Sequence, residues 1–235
     1  MNHTNQGARC VLRIAALAGA FALSMAGAAT AGADDEKVLL PLKLPKAVFA
    51  GTAANTKAGP NVEKLSDKKR EIPLVPKGTI NLALNKKVTA SSAPFGDSKL
   101  EKIVDGDKEA REDNTVELKP RLQWVQIDLG AASPLSYVAV WHFHLEPVIF
   151  HSVVVQVSND PNFLEGVTTI FNNDVENSAG LGIGKDREYF ETNEGKLIDA
   201  KGVKARYVRL YSKGSTYRDS LNRYTEVEVY GLPAK

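Results

Sequence analysis

Three of the four histidines, His142, His144 and His151, fall within one short stretch, and the fourth, His3, lies near the start. His142 and His144 are two apart, so on a strand they point to one side, and His151 opens the next segment, so a hairpin could bring all three together. Three imidazoles could hold zinc or copper. A neutral imidazole also offers one donor and one acceptor, which suits the rim of a site for vicinal hydroxyls. The third reading is structural: Trp141-His142-Phe143-His144 is a half-buried strand end whose histidines bond the adjacent loop. Sequence leaves these readings open.

A second concentration lies in Ser212 to Tyr224, where Tyr217, Arg218, Asn222, Arg223 and Tyr224 fall close together. Carbohydrate recognition needs an exposed aromatic face for the sugar's C–H surface and a few planar polar groups for its hydroxyls. Phe150, Tyr189, Tyr217 and Tyr224 are the aromatic candidates, with His144, Arg218, Asn222 and Arg223 as hydrogen-bond partners. Arginine forks suit acidic sugars or paired hydroxyls; Arg218 beside Asp219 could equally be a solvated ion pair. Trp124 and Trp141 sit inside expected strands, where their size suits packing.

Catalysis has less to stand on. Gly180-Leu181-Gly182-Ile183-Gly184-Lys185-Asp186 departs from a phosphate loop, because Ala179 stands at the required first glycine and Asp186 replaces the magnesium-binding hydroxyl. Glu146, Glu188, Glu191 and Glu194 supply carboxylates, but a glycosidase pair is defined by a separation of roughly 5 to 9.5 Å that sequence does not reveal. No serine-centred elbow or nucleophilic cysteine accompanies them, and no catalytic residue is assigned.

These residues must be positioned by a chain of 235 residues that is 43% hydrophobic and 25% charged, enough for one globular domain of ordinary size. Lys and Arg number 30 against 28 Asp and Glu, so there is no broad basic field for charge-driven nucleic-acid binding. Arg9 and Arg13, the apolar run Ile14 to Met25 and small residues through Ala33 have the order of a secretory signal peptide. The apolar run is shorter than the roughly 20 residues that span a bilayer, so no transmembrane segment is expected. Cleavage near Gly32 or Asp34 would remove Cys10, the one cysteine, and export the rest to a periplasmic or extracellular location without disulfides.

Residues 34–78 carry Pro41, Pro45, Pro60, Pro73 and Pro76 in a Lys- and Ala-rich stretch without sustained periodicity. This is an extended arm, either a flexible spacer or a strap laid on the following domain. A docked strap would bury Val38, Leu39, Leu40, Leu42 and Leu44. After Asn81 come short β-branched and aromatic segments separated by turn residues, the pattern of an all-β sandwich or barrel. Strands are expected at Lys87 to Ser91, Gln123 to Leu129, Tyr137 to His144, Ser152 to Ser158, Thr168 to Phe171, Tyr189 to Thr192, Tyr207 to Ser212 and Thr225 to Tyr230. Gly130, Asn159-Asp160-Pro161, Gly180 to Gly184 and Lys213-Gly214 are the breaks. Alternation assigns Val125, Ile127 and Leu129 to the core and Trp124, Gln126 and Asp128 to the other face. Val153-Val154-Val155, apolar on both faces, suggests a central strand.

Six blocks in order carry a family resemblance: Asn81 to Ser92, Val104-Asp105-Gly106-Asp107, Leu122 to Gly130, Val155 to Asp160, Ala205 to Tyr211 and Thr225 to Gly231. Over Thr79 to Leu232 the chain resembles the discoidin family, also called coagulation factor 5/8 type C. The resemblance implies a galactose-binding-like jelly-roll β-sandwich over 79–232, similar to the family 32 carbohydrate-binding modules. Such modules are mostly noncatalytic and bind sugars, lipid headgroups or proteins. It also implies a structural calcium, with Asp105, Asp107 and Glu226 as side-chain ligands; Ala110 and Glu112 stand where the family commonly has Thr and Trp. Calcium takes roughly six to eight oxygens, and Asp105-Gly106 alone would serve as an ordinary turn.

The expectation is thus a secreted noncatalytic module that recognises an extracellular ligand, foremost a glycan, through loops at one end of the sandwich. The alternatives are a structural or adhesive domain with a protein partner, and a small metal-dependent enzyme using the histidines.

Overall fold

The computed structural model describes residues 36–48, 59–64 and 68–234, all within one compact unit spanning Ala33–Lys235. The expected signal peptide, 1–33, lies outside the described residues.

The architecture is the all-β jelly-roll sandwich that the resemblance implies, built as two antiparallel sheets around one long strand. That strand, β6 (Gln123–His142), runs through both. Its first half lies in a sheet ordered β8 (Thr168–Asn172), β7 (Val154–Ser158), β10 (Lys204–Ser212), β6, β4 (Lys87–Ala90). Its second half pairs with β9 (Lys196–Asp199) on one side and β11 (Asn222–Gly231) on the other. Strand β11 in turn carries β3 (Ile80–Asn81) and β5 (Val116–Leu118). Two short 3-10 turns, Leu100–Val104 and Glu112–Asn114, sit between β4 and β5.

Period-two alternation produces the core. Val125, Ile127 and Leu129 of β6 point inward with Val155 and Val157 of β7 and Val208 and Leu210 of β10. Val138 and Val140 of β6, Ile198 of β9, and Val227 and Val229 of β11 meet them from the other layer. Strand β7 lies between β10 and β8 with every residue buried, the polar Gln156 and Ser158 included.

Gly130 does not break the strand as expected. Its φ of +87° turns the chain from one sheet toward the other, a conformation that costs glycine little, and pairing resumes at Ser133 and Pro134 against Ala205 and Lys204. The segments expected as two strands, Gln123 to Leu129 and Tyr137 to His144, are therefore one. The strand expected at Tyr189 to Thr192 is instead a buried loop held by one bridge, Ile149 to Phe190. Tyr189 packs in the main core and the adjacent Phe190 in a separate cluster with Val62 and Ile149, but no neighbouring strand runs beside the segment. Strands β5 and β9 were not anticipated; each has only three or four residues and little alternation to display.

Within residues 34–78, β1 (Lys37–Leu39) pairs with β2 (Leu74–Pro76). Leu40 and Val75 pack with Ala139, Trp141 and Tyr230 in a second cluster on the face of the β6–β11 sheet turned away from the main core. Arg70 donates to the carbonyls of Glu194 at 2.8 Å and Gly195 at 2.6 Å, and Glu63 pairs with Lys196. Of the five residues that a docked strap would bury, Leu40 is buried, Val38 and Leu42 are half-buried, and Leu39 and Leu44 are exposed. An extended segment turns only alternate side chains toward the surface it lies on. Among the described residues no helix is long and apolar enough to cross a membrane.

Leu40→Ala removes the side chain that meets Trp141, and unfolding free energy in urea should fall by about 2–3 kcal/mol. A change below about 0.5 kcal/mol would mean that this contact does not hold the arm in solution.

Candidate functional site

Three long connections meet at one end of the sandwich: 143–153 after β6, 173–195 after β8, and 213–221 between β10 and β11. Backbone hydrogen bonds lace them together. His151 donates to the Gly214 carbonyl at 2.9 Å, Lys213 to His151 at 2.8 Å, Thr216 to Ile149 at 2.9 Å and Glu191 to Val148 at 2.8 Å. Loops held by such bonds can present side chains in a fixed arrangement.

One cleft in this end, about 380 Å³, is lined by Glu117, Phe143, Tyr217, Arg218, Asp219 and Arg223 together with Glu112 and Thr115. The rings of Phe143 and Tyr217 meet edge-on at 5.1 Å, within the range where aromatic pairs attract. The Arg223 guanidinium lies 4.8 Å from the Tyr217 ring and is locked by carboxylates on two sides. Its Nε donates to Glu117 at 2.7 Å, and its two Nη groups donate to both oxygens of Asp219 at 2.7 Å. That bidentate bond holds the Asp219 carboxyl below its usual range against the opposing effect of burial. Burial works to lower Arg223, and the bonds to Asp219 and Glu117 overcome it and raise its pKa. Arg218 is different: its side chain is 82% exposed, and it reaches Glu146 only at 3.7 Å. The cleft thus joins an aromatic wall, a fixed cation with two carboxylates, and an exposed guanidinium at the rim.

Tyr217, Arg218 and Arg223 are therefore brought together as expected. His142, His144, Phe150, Tyr189, Asn222 and Tyr224 do not line that cleft, and all six are buried in packing of their own; Phe143 and Arg223, which do line it, each show only about 5% of their surface at its floor, so Tyr217, Arg218 and Asp219 form its open side. His142 stacks on Phe150 with centroids 4.4 Å apart, packs against Tyr224, and its Nδ1 lies 2.6 Å from Glu191. His144 Nε2 bonds the Lys108 carbonyl at 3.0 Å, and burial, its largest influence, lowers its pKa. Tyr189 meets Phe171 in the core, where burial pushes its hydroxyl well above the usual range. Asn222 is consumed in holding loops: Oδ1 accepts from Ser212 and Gly214 at 2.8 and 2.7 Å, while Nδ2 donates to the Lys119 and Arg121 carbonyls at 2.8 Å each. His151 stands apart on another cleft, its Nδ1 2.7 Å from Glu188. Among the described residues no group of three or more His, Cys, Asp or Glu side chains is arranged to hold a metal ion. The partners that sequence analysis missed, Glu117 of β5 and Glu191, lie far from these residues along the chain, with no local motif to mark them.

The turn implied to hold calcium shows an uneven donor set. Glu226 is fully buried; Oε1 accepts from the Gly106 N–H at 3.2 Å and Oε2 has no partner. Burial, with Glu228 and Asp105 nearby, pushes its carboxyl up to about 10, so the pocket strongly favours neutralising this charge. Asp107 is diverted: its oxygens take the Glu109 N–H at 3.1 Å and the Arg111 guanidinium at 2.7 Å. Asp105 Oδ1 accepts the Asp107 N–H at 2.8 Å, so of the three implied ligands Glu226, with Oε2 buried and unpartnered, is the one whose environment calls for a cation, and Asp107 does not fit as a side-chain ligand.

No family model and no curated protein matches the chain. It is similar to solved carbohydrate-binding structures. One is a truncated protein with CBM32 and alginate lyase domains, at 19% identity over 67% of this chain and 34% of that one, TM-score 0.48. Thus the chain spans about a third of that structure's length. A second is chitosan-binding module 1 of a chitosanase/glucanase from Paenibacillus sp. IK-5, at 25% identity over 65% of this chain and 99% of that one, TM-score 0.42. A third is a fucose binding module from Streptococcus pneumoniae, at 18% identity over 66% of this chain and 99% of that one, TM-score 0.46.

Asn222→Ala would strip partners from the Gly214 N–H and from two carbonyls at once. Stability to denaturant should fall by about 2–4 kcal/mol, and a neutral result would show that the 213–221 loop is held by other contacts.

Proposed function

We propose that the chain is an exported, noncatalytic carbohydrate-binding module whose loop end grips a glycan in the Phe143–Tyr217 cleft. One observation carries this reading: an aromatic pair stands beside a guanidinium already fixed by two carboxylates. Sugar rings present C–H faces to aromatic side chains and hydroxyls to planar polar groups, and this cleft supplies both within one short loop. Since Arg223 and Asp219 are ordered by each other, binding does not have to freeze them, which preserves affinity. Arg218 at the rim is the group able to reach a ligand's carboxylate or paired hydroxyls. Glu117 and Asp219 in the cleft are both bonded to Arg223, an arrangement that suits recognition rather than bond cleavage.

The rest of the domain serves as a support for this end. In the same reading calcium, held by Asp105 and Glu226 with main-chain oxygens, would tie the turn after the first 3-10 element to strand β11, near the two chain ends of the sandwich.

Tyr217→Ala should lower affinity for the best ligand on a glycan array by about tenfold or more in titration calorimetry, with the melting temperature little changed, because Tyr217 is only half-buried. Silence of the wild-type protein on every glycan would sink the carbohydrate reading and favour a protein partner.

Calcium added after chelation should raise the melting temperature of the wild-type protein, and Glu226→Gln should abolish the rise. Equal melting curves with and without calcium would exclude the ion.

A further inference from the structure

We infer that the chain carries a second saccharide subsite, a polar cleft closed by the N-terminal arm, on the opposite side of the rib formed by residues 148–152 and 213–217. The inference rests on the carbohydrate reading above and extends it to a separate surface. The cleft is about 520 Å³ and is lined on one wall by Gly59 to Val62 of the arm, and on the others by His151, Asn173, Ser178, Glu188 and Lys213 among others.

The arm enters it as part of the fold. Val62 forms a parallel bridge with Glu188. The Glu63 N–H donates to the Glu188 carbonyl at 2.8 Å, and the Glu188 N–H donates to Asn61 at 3.1 Å. Behind this bridge Val62 packs with Ile149 and Phe190 in a small buried cluster. The arm therefore fixes the backbone of the residue whose carboxylate orients His151.

Two groups in the cleft have hydrogen-bonding capacity left over. His151 Nδ1 lies 2.7 Å from the Glu188 carboxylate, which leaves Nε2 to exchange a hydrogen bond with a ligand on a side chain that is 42% exposed. Asn173 is 2% exposed, and its Oδ1 accepts the Val153 N–H at 2.7 Å. Its Nδ2 is buried with no partner. A buried amide donor without an acceptor is costly, and a ligand oxygen would satisfy it. Ser152 and Ser178 are hydrogen-bonded to each other at 2.8 Å and to Asp174, so their hydroxyls are held in place. Lys213 is exposed at the edge.

The chemistry selects the ligand class. Donors and acceptors alternate over a small area, carboxylates and cations are mixed, and the His151 imidazole is the one ring on the wall, so a sugar here would be held by its hydroxyls rather than by the C–H stacking of the first cleft. A nucleotide would have neither a stacking platform nor a phosphate cradle, and a cation has no set of three side-chain ligands here. A hydroxyl-rich, uncharged sugar edge, whose hydroxyls both donate and accept, can bond His151 Nε2 and supply the acceptor that Asn173 Nδ2 lacks.

The test follows the side-chain signals of His151 and Asn173 and the backbone signals of Tyr217 by NMR. Galactose, glucose, mannose, fucose and N-acetylglucosamine are each titrated into the full chain at millimolar concentration. The expected result is a saturable shift of the His151 and Asn173 signals with at least one sugar. In His151→Ala the apparent affinity at Asn173 should weaken about tenfold, and any Tyr217 response should stay unchanged; Ser178→Ala should give the same separation with a smaller loss. Shifts confined to Tyr217 would overturn the second subsite and leave the first cleft standing. Shifts at Asn173 that are indifferent to both substitutions would also overturn it. Absence of any shift at either cleft would remove the carbohydrate reading and this inference together.

Discussion

Strand β6 belongs to both layers, and the rest of the sandwich is arranged by that fact. Its first half is hydrogen-bonded to β10 and β4 and its second half to β11 and β9. The two sheets therefore cannot slide relative to each other without breaking a ladder on one side of Gly130. The chain has a single cysteine, Cys10, so no intrachain disulfide is possible, and this backbone continuity, with apolar packing between the layers, joins the two sheets instead. The C-terminal end of β6 leads directly into the 143–153 connection, which is bonded to the 213–221 loop. Rigidity is thus passed from the core to the loop end within a few residues.

At that end, buried polar groups set the shape and exposed ones face the solvent. Asn222 spends all its hydrogen-bonding capacity on the chain around it, and the hydroxyl of Tyr224 meets Ser212 at 3.1 Å. His142 and Glu191 pair in a site closed to water. Removing one partner from such a network leaves the others buried and unpaired, which is why these residues support the loops rather than touch a ligand. Tyr217, Arg218 and Arg223 stand on the shell so formed. The two clefts share the rib between them, so both depend on the same backbone bonds.

Much of the fold was legible because strand alternation is a local signal. Val125, Ile127 and Leu129 announced their face of β6, and Val153-Val154-Val155 announced a strand flanked on both sides. Gly130 misled because glycine permits both a break and a smooth turn, and only pairing on each side decides between them. At the site, Tyr217, Arg218 and Arg223 were found because they are close in sequence and polar or aromatic. Phe150, Tyr189 and Tyr224 have the same residue types but face inward, since whether an aromatic ring meets solvent or core depends on strands far away in the chain. Glu117 locks Arg223 from 106 positions away, a relation that composition and spacing cannot display. The arm was equally opaque: Leu40 shares a cluster with Trp141 in an arm whose β1 pairs with β2 more than thirty positions away, a relation spacing does not show.

The most direct test of this account is a crystal structure of the protein with its best array glycan bound. The account predicts a sugar ring seated against Tyr217 and Phe143, with hydroxyls within hydrogen-bond reach of Arg218 or Arg223. A glycan lying on the strand faces away from the loop end, or one cleaved during soaking, would contradict it.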